Sequence, residues 1–290
     1  MLKAFIVVAL WGSSYVVTKG VTMQMSASAL GFIRWGIAAL SLLAVAPFAG
    51  CRILPPWREL PIVALVGVLG VGVSGVLWHA GVQLTLTSHS SLIMTFSPII
   101  AALLSWALSQ ESFPARKTLG ILISFLGVGA VISESLSFEL EREFLVGDLF
   151  MLGAAVSWAS YVVYCKSLIS TLNPFALSLL SFLFGTFFLV PFAYLEDLPA
   201  QTLSLSLKGW IGVLYLSIPL GAGSFFLWNS ALKRVAVSTV MVISNLLPLI
   251  AAFLAWLFLG EGLSLYFGLG LALVASGIYL VTSAGGVGRR

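Results

Sequence analysis

His79 lies within an apolar stretch, residues 60–83, that contains no other ionisable side chain. A titratable group inside a hydrophobic helix is costly to bury, so its presence there points to a function. Apolar surroundings favour the neutral imidazole, which can hydrogen-bond the carboxylate or the amine of a small ligand. The alternative is that a neighbouring helix satisfies the ring. We predict that His79 binds a substrate.

Other polar and aromatic side chains recur at helical spacing on neighbouring apolar stretches, which places them on shared helix faces. Small and hydroxylic side chains also hold apolar helices together, so packing is the alternative explanation. Packing alone explains four glycines: Gly120, Gly127, Gly270 and Gly277. Besides His79, the predicted substrate-binding residues are Trp11, Ser14, Tyr15, Met94, Ser97, Trp158, Tyr161, Asn229, Met241, Ser244 and Asn245.

Three prolines, Pro98, Pro219 and Pro248, fall within apolar stretches and are predicted to kink their helices. A proline cannot donate a hydrogen bond to the carbonyl four residues earlier. The carbonyls of Met94 and Ser244 are therefore candidates to accept hydrogen bonds from a substrate ammonium. The alternative is that the prolines only bend the helices, and that a serine or a water satisfies each carbonyl.

The sequence lacks the residue patterns of an enzyme, an ATPase or a metalloprotein. No Asp or Glu lies in the core of an apolar stretch, and no Gly-x-x-x-x-Gly-Lys motif is present. The two cysteines, Cys51 and Cys165, give neither a disulfide framework nor a metal-ligand spacing. We expect no catalytic residue, no cofactor and no metal. The cations are scattered, so we also expect no nucleic-acid partner.

The composition requires a membrane protein. Of the 290 residues, 60% are hydrophobic and 8% are charged, against about 25% charged residues in soluble proteins. The mean hydropathy is +1.11, which excludes soluble, disordered and collagen-like chains. A membrane-spanning helix needs roughly 20 apolar residues. Glycines, prolines and charges divide the chain into ten candidate helices, at about 4–21, 28–49, 60–83, 85–109, 117–133, 147–167, 174–195, 208–231, 236–259 and 263–283.

Polar and irregular residues are tolerated at membrane depth only where they line a cavity or are buried in protein. They concentrate in the first, third, fourth, sixth, eighth and ninth candidate helices, which we expect to be broken or kinkable and to surround a path. The other four are then an outer scaffold. Lys19, Lys166 and Arg34 are interpreted as anchors that reach the membrane interface, although Lys19 or Lys166 could also attract a carboxylate.

The two halves of the chain resemble each other at an offset near 150 residues. The segment Ser97–Trp106 aligns with Leu247–Trp256, and Glu111 then matches Glu261. The same offset gives Asn229 the role opposite His79. Five helices per repeat place the second copy upside down, a recurring design of secondary transporters. We predict an all-α membrane protein with two inverted five-helix repeats, residues 1–140 and 141–290, around a central cavity.

Lysine and arginine set the orientation of membrane helices through their excess on the cytoplasmic side. With the N-terminus inside, only Lys19, Arg34, Arg142 and Lys208 of the 14 cations fall outside. We therefore expect both termini to be cytoplasmic.

A Trp-Gly-Ser-Ser-Tyr motif at residues 11–15, a Trp-Ala-Ser-Tyr motif at 158–161, and the segments Pro98–Glu111 and Pro248–Glu261 resemble the EamA-type drug/metabolite transporter superfamily. The resemblance covers essentially the whole chain. Within that superfamily, the many aromatic and methionine positions make the chain similar to bacterial exporters of aromatic and other neutral amino acids. The resemblance implies the bacterial inner membrane as its location.

We therefore expect a secondary transporter that exports small neutral or zwitterionic metabolites by alternating access, without ATP. Facilitated diffusion and proton coupling through His79 both remain open, as do the exact substrate and the oligomeric state. Alternative cargoes are drugs, nucleotide-sugar-like molecules and other metabolites. Alternatives of other classes are an intramembrane enzyme acting on lipid, and a channel or structural membrane partner.

Overall fold

The computed structural model describes residues 1–85, 87–133, 142–250, 253 and 265–284. These residues form helices and connecting turns, without a strand in the described ranges. The α-helices are α1 Leu2–Gly12, α2 Ser14–Thr22, α3 Ala27–Val45, α4 Leu60–Gly67, α5 Ser74–Leu84, α6 Thr87–Met94, α7 Ser97–Ala107, α8 Ala115–Ser133, α9 Arg142–Leu168, α10 Pro174–Leu195, α11 Leu198–Ser204, α12 Leu207–Ser217, α13 Ser224–Leu232, α14 Val237–Ile243 and α15 Leu265–Ala284.

Seven helices of the described part are long and apolar enough to cross a bilayer. They are Leu2–Thr22, Ala27–Phe48, Leu60–Leu84, Leu145–Leu168, Pro174–Leu195, Leu207–Leu232 and Leu265–Ala284. The expected fourth and ninth spans contain the shorter apolar helices Leu92–Ala107 and Val237–Ile250. The prediction of an all-α membrane protein is thus confirmed. The count of ten spans and the boundary at residue 140, which lies outside the described residues, remain predictions.

Glycine and proline break the helices where the sequence places them. A turn at Ser13 separates α1 from α2, and Thr95 and Phe96 separate α6 from α7. Two π-helical segments, Val68–Val73 and Ile218–Gly223, interrupt the third and eighth spans. They begin 150 residues apart, the offset of the sequence repeat. A 3-10 turn over Ser244–Leu246 follows α14.

The sixth span, which we expected to be broken or kinkable, is not broken, since α9 runs without interruption from Arg142 to Leu168. No glycine or proline occurs between residues 154 and 168 to weaken the helix. Its serines instead bond to backbone carbonyls: Ser157 donates to Leu69 at 2.8 Å, and Ser160 donates to Val156 of the same helix at 2.8 Å. A polar residue in a membrane helix therefore need not mark a break.

The outer surface of the helices is apolar. On α10, Phe182 is fully buried, whereas Phe187 is 77% exposed and Tyr194 is 81% exposed. Large exposed apolar surfaces of this kind are rare on soluble monomers and are what a lipid bilayer covers.

Helices α8 and α15 pack closely through the glycines that we assigned to packing. A Cβ atom on Gly120 would lie 2.8 Å from the carbonyl oxygen of Gly277, and one on Gly127 would lie 2.9 Å from that of Gly270. Only glycine permits backbones to approach this closely. The packing interpretation of these residues is confirmed.

Candidate functional site: a cavity lined by tryptophans

A cavity of about 130 Å³ lies between the helices. Its wall combines aromatic rings, hydroxyl groups and one charged side chain from both halves of the chain. The lining residues are Trp11, Ser14, Arg34, Trp35, Gly70, Ser74, Gly75, Trp78, His79, Met94, Thr95, Ser97, Trp158, Phe225, Ser244, Asn245, Leu247 and Pro248. An apolar concave site with a few polar groups is the usual form of a small-molecule binding site.

The tryptophans of the two repeated motifs meet in this wall. The ring centroids of Trp11 and Trp158 lie 5.5 Å apart, with an interplanar angle of 74°. Phe225 closes the group, at 5.8 Å from Trp11 and 5.6 Å from Trp158. Edge-to-face contacts at these distances are favourable for aromatic rings. The motifs therefore build one aromatic wall between the two halves.

A side chain in the first motif, and one directly before the second, each bond a carbonyl of the π-helical segment in the other half. The indole Nε1 of Trp11 donates to the carbonyl of Leu220 at 3.1 Å and to the hydroxyl of Ser224 at 2.7 Å. Ser157, which precedes Trp158, donates to the carbonyl of Leu69 at 2.8 Å. A π-helix interrupts the regular hydrogen-bond ladder. Trp11 and Ser157 therefore donate hydrogen bonds to carbonyls of the π-helical segments, where the regular ladder is interrupted.

His79 and Arg34 form a buried pair in the wall. Both are almost inaccessible, with 0% and 5% of their surfaces exposed. The Nη1 atom of Arg34 lies 3.3 Å from Nε2 of His79, and its Nε donates to the carbonyl of Leu216 at 3.2 Å. Arginine can only donate, so Nε2 of His79 is the acceptor and the imidazole is neutral. The ring also contacts Trp78 edge-on, with centroids 5.3 Å apart.

The sequence profile of the EamA-like transporter family matches residues 1–133 and, again, 145–283. The chain belongs to the EamA-like transporter family. It is 30% identical to an uncharacterized transporter of Archaeoglobus fulgidus, over 97% of this chain and 99% of that protein. It is 22% identical to the uncharacterized transporter YyaM of Bacillus subtilis, over 92% of this chain and 88% of that protein.

A solved crystal structure has the same fold as this EamA-like transporter. The TM-score is 0.82, and the match covers 100% of this chain and 98% of that chain at 19% identity. The family and the names of the relatives indicate a transporter rather than an enzyme, as the sequence predicted.

Most of the predicted site residues of this EamA-like transporter line the cavity. Tyr15 is helical, but its side chain lies outside the described part. Tyr161, Asn229, Met241, Pro98 and Pro219 are not among the residues of the wall. The predicted residues that the structure brings together there are His79, Trp11, Ser14, Met94, Ser97, Trp158, Ser244, Asn245 and Pro248.

Asn229 does not take the role opposite His79. It is fully buried, and its Nδ2 atom donates to the hydroxyls of Tyr161 at 3.2 Å and Ser178 at 2.9 Å. This network lies behind the wall, where Tyr161 stacks on Trp158 with centroids 5.1 Å apart. Asn229 and Tyr161 thus support the aromatic wall instead of facing the cavity. Met241 is likewise fully buried in the packed core.

The expectation of two unoccupied carbonyls is wrong. Ser97 donates its hydroxyl to the carbonyl of Met94 at 2.6 Å, and the amide of Leu247 donates to the carbonyl of Ser244. Both sites fit the alternative explanation, in which a nearby group of the protein donates a hydrogen bond to the carbonyl that the proline cannot reach. Asn245 lines the cavity, and its buried Oδ1 is an acceptor that has no hydrogen-bond partner in the described part of the chain.

Arg34 is the main functional candidate that sequence reasoning missed. It lies seven residues inside α3, about 10 Å along the helix, which is too deep for an interfacial anchor. That depth is the signal that could have identified it, because a charge inside a span is a functional candidate by default. Its neighbour Trp35 also lines the cavity, so the prediction that the second span is outer scaffold is wrong.

Lys166 is neither an anchor nor a cation at a cavity mouth. Its Nζ atom donates to the carbonyls of Leu232 at 2.6 Å and Val235 at 2.8 Å. The last carbonyls of a helix lack intrahelical donors. Lys166 therefore caps the end of α13, and its positive charge suits the negative end of the helix dipole.

Proposed function

We propose that this chain is a secondary carrier built from ten membrane spans in two inverted five-helix repeats, residues 1–140 and 141–290. The two ranges that match the family profile and the two π-helical segments 150 residues apart support this arrangement. One pattern folded in both orientations has two equivalent packings, and their exchange between the halves opens the cavity to one side at a time.

We propose that its cargo is a small neutral or zwitterionic metabolite, with aromatic and other neutral amino acids first among the candidates. The observation that carries this proposal is the aromatic wall, in which Trp11, Trp158 and Phe225 surround one side of the cavity. Aromatic walls bind flat apolar groups through offset and edge-to-face contacts. Oδ1 of Asn245, which lacks a partner in the described part, suits a substrate ammonium.

We propose export across a bacterial inner membrane, with both termini in the cytoplasm. Lysine and arginine are in excess at the span ends that lie on the same side of the membrane as the N-terminus, which supports this orientation. Labelling of single cysteines placed near residue 3 and in the 196–206 segment, in intact cells with an impermeant reagent, tests it. The second site should react and the first should not.

The carrier activity is tested with purified protein in liposomes. Labelled amino acids are offered outside, with unlabelled amino acid inside, and the uptake of label is followed against concentration. A carrier gives saturable uptake that the internal amino acid accelerates, whereas a channel gives neither. Saturation with drugs or nucleotide sugars but with no amino acid would retain the carrier and replace the cargo.

A further inference from the structure

Arg34 brings a positive charge to the wall of the cavity, without a salt-bridge partner among the described residues. It is the one Lys, Arg, Asp or Glu among the lining residues in the described part of the chain. The two groups that it bonds, the Leu216 carbonyl and the His79 imidazole, are neutral acceptors. They orient the guanidinium, but they do not cancel its charge. Burial of a charge without a counter-charge is costly, so the site suits an anionic group that arrives with a ligand.

The guanidinium is oriented with donors to spare. Its five N–H groups form a rigid fork, of which the Nε–H is bound to Leu216 and one Nη1–H to His79. The second Nη1–H and both Nη2 hydrogens have no partner in the described residues. This leaves the end of the fork, formed by Nη1 and Nη2, for a carboxylate, which arginine binds through two parallel hydrogen bonds.

The surroundings hold this fork in place next to an aromatic surface. The guanidinium carbon lies 4.3 Å from the ring centroid of Trp35, and Trp35 packs edge-on against Phe225 at 5.3 Å. Phe225 belongs to the aromatic wall, so the Trp35 ring alone separates that wall from the guanidinium. A ligand with a flat apolar body and a carboxylate on a short stem matches this arrangement.

We propose that Arg34 binds the carboxylate of the cargo, and that the cavity selects small aromatic molecules that carry a free carboxylate over aromatic amines that lack one. This inference rests on the proposed carrier function and narrows its substrate class. His79 is a positioning residue in this site, because it holds Nη1 of Arg34 and so fixes the orientation of the fork.

Three probes with the same ring separate the possibilities: phenylalanine, 3-phenylpropionate without the amine, and phenethylamine without the carboxylate. Binding to the purified protein in detergent is followed by tryptophan fluorescence, since Trp35 contacts the guanidinium. We expect the two carboxylates to bind competitively and phenethylamine to bind at least about tenfold more weakly, the value of a charge-assisted hydrogen bond. Equal binding of phenethylamine and 3-phenylpropionate would overturn the assignment.

The variants Arg34→Gln and Arg34→Lys test the residue itself. Arg34→Gln should remove the preference for carboxylates, and Arg34→Lys should retain part of it through its charge. Arg58→Gln, an exposed arginine outside the cavity, is the matched control. Unchanged preference in a folded Arg34→Gln protein would contradict the proposal; if that variant does not fold, the three probes decide on the wild type.

Because this readout is binding, it is separate from transport. Carboxylate-selective binding without saturable uptake in liposomes would refute the carrier and keep the Arg34 site. Saturable uptake of all three probes at equal rates would keep the carrier and refute the site.

Discussion

The carboxylate of Glu111 holds the N-terminal end of α14 through Ser238. Its two oxygens accept hydrogen bonds from the Ser238 hydroxyl at 2.6 Å and the Ser238 amide at 3.3 Å. The same carboxylate pairs with Lys117 at 2.5 Å. A negative charge is favourable at a helix N-terminus, where backbone N–H groups lack partners. This contact joins the first half of the chain to the second at one end of the molecule.

Glu111→Gln should loosen that end. The substitution removes the charge that both Lys117 and the helix N-terminus require, and charged hydrogen bonds contribute about 1.5–3 kcal/mol. Cys165 is a native reporter, because the neighbouring Gln110 bonds Val163 and Ser167 on either side of it. In a Cys51→Ser background, we expect alkylation of the buried Cys165 to accelerate about tenfold.

Glu59→Gln is the control for this experiment. Glu59 accepts a hydrogen bond from Thr171 at 2.8 Å at the molecular surface, so its removal should leave the rate of Cys165 alkylation unchanged. Equal rates in wild type and Glu111→Gln would show that the Glu111–Ser238 contact does not close this end.

His79→Ala should weaken transport without preventing insertion into the membrane. The alanine removes the acceptor that orients Nη1 of Arg34, and we expect the rate of saturable uptake to fall about tenfold, the value of one hydrogen bond to a charged group. His79→Gln can restore an acceptor and should recover part of the rate. Wild-type uptake by His79→Ala, at equal amounts of inserted protein, would mean that the ring serves packing alone.

Transport should not be driven by a proton gradient. The 3.3 Å contact requires Nε2 of His79 to accept from Arg34, and protonation there would place two cations side by side. A gradient of two pH units would concentrate a singly proton-coupled substrate about 100-fold. In liposomes with the membrane potential clamped, we expect equal concentrations on both sides. Accumulation that His79→Gln abolishes would instead identify His79 as the proton carrier.

Trp158→Ala should raise the KM for aromatic amino acids about tenfold, because it removes one side of the aromatic wall and its ring contacts. Trp158→Phe should raise it less. Phe187→Ala is the matched control, since Phe187 is 77% exposed on the outer face of α10. If the Trp158→Ala protein folds and keeps the wild-type KM, the aromatic wall does not contact the cargo.

Local chemistry made several breaks in the helices predictable. Pro219 has no amide hydrogen, and Gly70 and Gly72 weaken their helix, so the sequence indicates where the third and eighth spans depart from regular geometry. The repeat predicts that the motifs of Trp11 and Trp158 are equivalent in the two halves, and so favours a contact between these residues. Its geometry depends on how the two halves dock.

Partnerships across the fold were not predictable. The repeat aligns Asn229 with His79, yet their partners differ. Asn229 bonds Tyr161 and Ser178, whereas His79 bonds Arg34. An offset in sequence equates positions but not the residues that other helices bring to them. For the same reason Arg34 in α3 was interpreted as an anchor, because the sequence shows its depth in the helix but not the cavity beside it.

Gly277→Ala should destabilise the protein, whereas Gly268→Ala on the same helix should not. A Cβ on Gly277 would lie 2.5 Å from the carbonyl oxygen of Gly120 and 2.7 Å from the amide of Ser124, so α8 and α15 would have to separate. Overpacking of this kind costs about 1–3 kcal/mol.

A Cβ on Gly268 meets no atom within 4 Å, and alanine favours the helix by about 1 kcal/mol. Thermal unfolding in detergent is measured as the loss of folded protein in size-exclusion chromatography after heating. It should therefore give a lower Tm for Gly277→Ala and an unchanged or higher Tm for Gly268→Ala. Equal Tm values for the two variants would mean that α8 and α15 do not pack at this distance.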